Sequence, residues 1–123
     1  MAFLADRVYD NGLTTLDTEA THLYICSQEP ATYTAATSTY ALGDKSSLSI
    51  GSPSARAGGG REVTVSSFSD GAITANGTAT HYAIVDSTNS RLLATAALSA
   101  SQVVTSGNTF SLAAFKIGMP APA

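Results

Sequence analysis

From residue 61 onward the chain is a run of short alternating apolar and polar stretches cut by turn signals every 8 to 15 residues. That spacing leaves little room for helices and suits an antiparallel sandwich or barrel. Arg61 to Phe68 alternates, with Val63 and Val65 on one face. Asp70-Gly71 predicts a hairpin turn into Ala72-Ile73-Thr74, and Asn76-Gly77 predicts another into 78–86. A polar segment, 86–90, separates that strand from 91–98, and Gly107-Asn108 turns 102–105 into 109–117.

The first half is less regular. Phe3, Leu4 and Val8 recur at near-helical spacing, so a short helix is expected over 2–11. Gly12 stands where a C-cap glycine would, and 13–21 reads as Thr-rich linking structure. His22-Leu23-Tyr24-Ile25-Cys26-Ser27 carries large side chains on both faces, as a strand covered on both sides does, and Pro30 ends it. Leu48 and Ile50 suggest a short strand, and Pro53 followed by Gly58-Gly59-Gly60 a flexible loop over 51–60. The expectation is one mainly β domain over 1–123: an antiparallel β-sandwich or barrel with a short N-terminal helix or arm in 1–21 and a tail over 118–123.

Composition narrows the function. Charged residues are 12% of the chain, against about 25% in an average domain. The surface is therefore polar through Ser and Thr hydroxyls more than through ions. A net charge of −3 with six scattered Lys and Arg argues against nucleic acid, which needs clustered cations. No stretch approaches a membrane helix, and the N-terminus has no secretory pattern. Cys26 is the only cysteine, so no disulfide forms within the chain, as suits a protein made in a reducing cytoplasm.

Residues 63–123 contain only four charged side chains, Asp70, Asp86, Arg91 and Lys116. Soluble sheets protect their edges with charge, proline or cover. These strands have little charge, and their prolines lie in the tail. The sheet either closes on itself or has its edges covered by neighbours.

Residues that could carry chemistry do not converge. His22 and Cys26 share a strand face, but at the strand rise they stand roughly 13 Å apart, too far for one ion. A Cys26–His81 pair has the residue types of thiol catalysis, yet a cysteine inside an apolar strand reads as an inert buried thiol. There is no Gly-x-Ser-x-Gly elbow, and Gly58-Gly59-Gly60-Arg61 runs into a strand rather than a phosphate-binding helix. No catalytic residue, cofactor or metal is expected. Tyr33, Tyr40 and Tyr82 are the aromatics a glycan-binding surface would use.

Three groups of residues carry a resemblance. They are Ala5-Asp6-Arg7-Val8-Tyr9-Asp10-Asn11-Gly12-Leu13, the run from Leu23-Tyr24-Ile25-Cys26 to Pro30-Ala31-Thr32-Tyr33 with Tyr40-Ala41-Leu42-Gly43, and Ala79-Thr80-His81-Tyr82-Ala83-Ile84-Val85-Asp86 with Phe115-Lys116-Ile117-Gly118-Met119-Pro120. Together they resemble small virion proteins of tailed bacteriophages that infect alphaproteobacteria. The resemblance spans most of the chain and lies in sequence texture rather than in a motif with a mechanism. It implies a structural component of the particle made in the host cytoplasm: first a head decoration (cement) protein, and otherwise a tail or head–tail connector component. Its partners would be the major capsid protein, other virion proteins and copies of itself. The terminal segments are the expected contact elements, through Phe3, Leu4, Val8 and Tyr9 at one end and Met119, Pro120 and Pro122 at the other.

Overall fold

A computed structural model describes residues 6–119. Helix α1 (Asp6–Glu19) is followed by strands β1 (His22–Cys26), β2 (Ala41–Ser46), β3 (Ser54–Ala55), β4 (Arg61–Val65), β5 (Phe68–Ile73), β6 (Gly77–Asp86), β7 (Arg91–Val104), β8 (Thr109–Leu112) and β9 (Phe115–Met119). A five-residue π-helix, Ala35–Thr39, lies between β1 and β2. The chain is thus mainly β, with antiparallel sheets and a short N-terminal helix, the class that its alternation pattern implies. It divides into two compact units.

The larger unit comprises 20–48 and 68–112 and is built on a six-stranded sheet in the order β7-β6-β1-β2-β5-β8. Its frame is one long bent ribbon. β6 and β7 form a hairpin across 87–90, facing each other from Asp86↔Arg91 to Gly77↔Val104. The same register resumes at Ala72↔Thr109 and Gly71↔Phe110, where β5 and β8 pair. Between the two ladders, Ile73 donates to the Asn108 carbonyl at 3.0 Å, and Gly107 donates back to the Ile73 carbonyl at 2.9 Å. The β1–β2 hairpin fills the bend, β1 pairing with β6 and β2 with β5.

Two expected hairpin turns are corners of this ribbon. At 74–76 the inner path passes from β5 to β6, which do not pair with each other. Asn76 marks the corner because its side-chain carbonyl accepts the Ser106 N–H at 2.7 Å. At 105–108 the outer path turns through Gly107, whose φ of 93° only glycine adopts cheaply, closed by Asn108 donating to the Thr105 carbonyl. The third expected turn, Asp70-Gly71, lies inside β5, at an irregularity opposite β8. Only 86–90 is a hairpin connection of the kind expected along this stretch.

The central strands are covered on both faces, as the composition of 22–27 predicts. Leu23 and Ile25 on one face and Cys26 on the other are at most 2% exposed. Facing residues in an antiparallel ladder share a side, so Tyr82 and Ile84 join Leu23 and Ile25, while Ala83 and Val85 join Cys26. The connection 27–40 folds back over the second side, where Ala36 is fully buried with Cys26, Ala83 and Val85.

The smaller unit comprises α1, 49–67 and the strand β9, with a three-stranded sheet in the order β3-β4-β9. α1 packs on β4. Leu13 and Leu16 of the helix are buried, as are Val63 and Val65, which share one face of β4 as expected. Asp10 fixes the two elements by accepting from Arg61 Nε at 2.9 Å. The 51–60 segment carries β3 and a tight turn in which Gly58, Gly59 and Gly60 all have positive φ. Arg56 closes that turn, its guanidinium donating to the Gly59 carbonyl at 3.1 Å.

The helix departs from expectation at its end. It runs through Gly12 to Glu19, so residues 13–19 are helix rather than linker. Gly12 is an interior residue against which the Met119 side chain lies, and a Cβ there would sit 2.7 Å from Met119 Cε. A glycine placed for close approach has the same local sequence as a glycine placed to stop a helix.

Candidate functional site

Of the terminal residues expected to make contacts, Phe3, Leu4, Pro120 and Pro122 lie outside the described residues, as does the side chain of Tyr9. Val8 and Met119 are described, and both are surface hydrophobics, 54% and 37% exposed. Val8 is one helical turn before Gly12, on the same side of α1. Met119 covers Gly12. The two residues therefore border one exposed apolar spot on the smaller unit, joined from opposite ends of the chain.

The larger unit presents a second surface that no single residue in the sequence announces. β7 is 14 residues long and forms one edge of the six-stranded sheet, with β8 forming the other. The two edges are successive parts of one chain path, and that path carries no charged residue from 92 to 115. Val103 on β7 is 83% exposed, the highest value among the described large hydrophobics. The missing charge was the signal for an edge needing cover, and the structure places it on the outer strand at both sides of the sheet.

β7 is irregular at two places. Ile84↔Ala94 is followed by Val85↔Leu92, so Leu93 is an extra residue, and His81↔Ala97 is followed by Ala79↔Gln102, so 98–101 bulges from the ladder. A regular stretch, 94–97, lies between them.

Cys26 and His81 face each other across β1 and β6. The thiol is fully buried with its Sγ 3.6 Å from the Ala36 carbonyl, and burial pushes its pKa up to about 11. Such a thiol is almost wholly protonated at neutral pH and is a poor nucleophile. His81 Nδ1 lies 2.9 Å from Thr80 Oγ1, whose hydroxyl donates to the Ser27 carbonyl. The Thr80 proton being engaged there, His81 donates through Nδ1. Among the described residues no three His, Cys, Asp or Glu side chains converge as metal ligands.

Of the three tyrosines named for a binding surface, Tyr82 is buried. Tyr33 and Tyr40 are half-buried and pack with Tyr24 and Leu92 on the Cys26–Ala83–Val85 cluster. Tyr24, opposite Asp44 in the ladder, has its pKa raised by burial first and then by the negative charge of Asp44 and the neighbouring Tyr33.

Comparison with known proteins returned no match: no family model fits the chain, and no curated protein or solved structure compared with it is similar.

Proposed function

We propose that this chain is a non-enzymatic structural subunit of a phage particle, acting as a head decoration protein that stabilises the assembled shell. The observation that carries the reading is the outer path, 92–112, which has no charged residue and runs along both edges of the larger sheet. Edges this poor in charge of their own gain from a neighbour's cover. The Val8–Met119 spot offers a further apolar contact. The resemblance to small virion proteins of alphaproteobacterial phages supports the same role, and the inert thiol fits a chain without nucleophilic chemistry at Cys26.

The mechanism is mass action. A subunit that binds the assembled shell and not its free components lowers the free energy of the assembled state in proportion to the number of sites filled. Its partners in this reading are the major capsid protein and other copies of itself.

Quantitative mass spectrometry of purified virions tests the proposal through the copy ratio to the major capsid protein. A ratio near one to one, or another large fixed fraction, is the expected result. A handful of copies per particle would instead make the chain a tail or connector component. Complete absence would sink the virion role and favour a receptor- or glycan-binding module using the Tyr24–Tyr33–Tyr40 surface.

A further inference from the structure

We infer that Asn76-Gly77 is a site of spontaneous covalent modification in the folded chain, Asn76 losing ammonia through a succinimide to become aspartate or isoaspartate. This chemistry is independent of the virion role.

An asparagine amide is open to attack by the backbone nitrogen of the next residue when that residue is glycine, which has no side chain in the way. The Gly77 nitrogen gives up its proton and bonds to Asn76 Cγ. The Cγ–Nδ2 bond breaks, and ammonia leaves with the proton. Water then opens the five-membered ring. Cleavage at Cγ gives aspartate, and cleavage at the main-chain carbonyl carbon gives isoaspartate.

Four asparagines occur in the chain, and two of them precede glycine. The fold separates those two. Asn11-Gly12 lies inside α1, where the glycine N–H is bonded back into the preceding turn and the helical torsion must be abandoned before the ring can close. Asn76 is exposed at the corner between β5 and β6, outside both strands. The Leu42 carbonyl holds that corner, accepting from the N–H groups of Thr74 and Ala75 at 2.8 and 3.1 Å. From the other path of the ribbon the Ser106 N–H donates to Asn76 Oδ1 at 2.7 Å. This oxygen gathers negative charge as Cγ becomes tetrahedral, so a donor already aimed at it lowers the barrier. The remaining asparagines lack these features. Asn89 precedes Ser90 and its amide nitrogen donates to Asp86, and Asn108 precedes the β-branched Thr109.

Peptide mapping by mass spectrometry, on the full-length chain held at mildly alkaline pH, tests the assignment. The amide-to-acid mass shift should accumulate at residue 76 several-fold faster than at residue 11. Isomerisation at Asp70-Gly71 changes no mass and is not counted. In denaturant the two Asn-Gly pairs should convert at similar rates. Ser106→Pro removes the donor at a turn position that proline suits. It should slow conversion at residue 76 several-fold, with the β circular-dichroism spectrum retained. Residue 11 keeping pace with residue 76 in the folded chain, or an equal preference for 76 in denaturant, would overturn the site. Conversion unchanged or faster in Ser106→Pro would overturn the role of the Ser106 N–H.

Discussion

Phe110 lies across the ladder from Gly71, and its ring occupies the space a Cβ at residue 71 would need, 2.4 Å from the ring carbons. The ring is nearly buried and rests edge-on against Phe68 at a centroid distance of 5.6 Å. An aromatic side chain thereby covers a bare stretch of strand backbone. Gly71→Ala is expected to destabilise the protein by about 1–3 kcal/mol through overpacking. In a Phe110→Ala background the same change should cost much less, and urea denaturation of the double-mutant cycle reads the difference. Equal costs in both backgrounds would show that the ring is not the cause.

Gly12 gives the opposite expectation from a similar contact. Its neighbour is the end of the flexible Met119 side chain, which can swing aside. Gly12→Ala removes a glycine from a helix interior, where it costs about 0.5–1 kcal/mol relative to alanine. The variant should melt at the same temperature as the parent or slightly higher. A clear fall would mean that Met119 is held too firmly to move.

Asp86 organises the β6–β7 turn. Its carboxylate accepts from the Asn89 side chain at 2.8 Å and from the backbone N–H groups of Thr88 and Asn89. The Asn89 side-chain bond first, with the backbone bonds and Arg91 adding to it, outweighs burial and holds the carboxyl below its ordinary range. A depressed carboxyl contributes stability above the unfolded value of about 3.9, and that contribution disappears as pH falls through the folded value. Asp86→Ala should lower the urea midpoint at neutral pH, and the gap from the parent should narrow in acid. A gap independent of pH would assign the loss to packing.

Cys26 should resist alkylation in the native protein at mildly alkaline pH and react rapidly once the chain is unfolded in denaturant. Its folded pKa of about 11 lies above that of a free thiol. The unfolded chain therefore ionises first, and native stability should decline as pH rises from the free-thiol value toward the folded one. Rapid modification under native conditions would contradict the buried geometry.

The parts of this fold legible in the sequence are those in which neighbours along the chain decide the outcome. Strand alternation marked β4 and β6, and the two-sided bulk of 22–27 marked a strand covered on both faces. The polar run 86–90 lay between the two strands that it joins. The misread parts turn on distant partners. Gly12 continues a helix because Met119 comes to cover it. Asp70-Gly71 stays in a strand because Phe110 does the same there, and Asn76-Gly77 is a corner because Ser106 supplies the donor. Dipeptides of this kind favour a tight turn locally, and tertiary contacts override the preference. The candidate site shows the same division. Scarcity of charge along 63–123 was visible at once, but the position of its uncharged part on the outer strand and the exposure of Val103 depend on a register that composition does not encode.

The bent ribbon also orders the events of folding. Residues 68–112 can zip outward from the 87–90 turn using contacts that are mostly close in sequence, and such closures are fast. β1 and β2 must then find the bend from another part of the chain, across the longer loop 27–40 that joins them. Docking of that hairpin into the curve is the step expected to set the rate. Substitutions near Asp86 should therefore slow refolding, while those in 27–40 should chiefly speed unfolding.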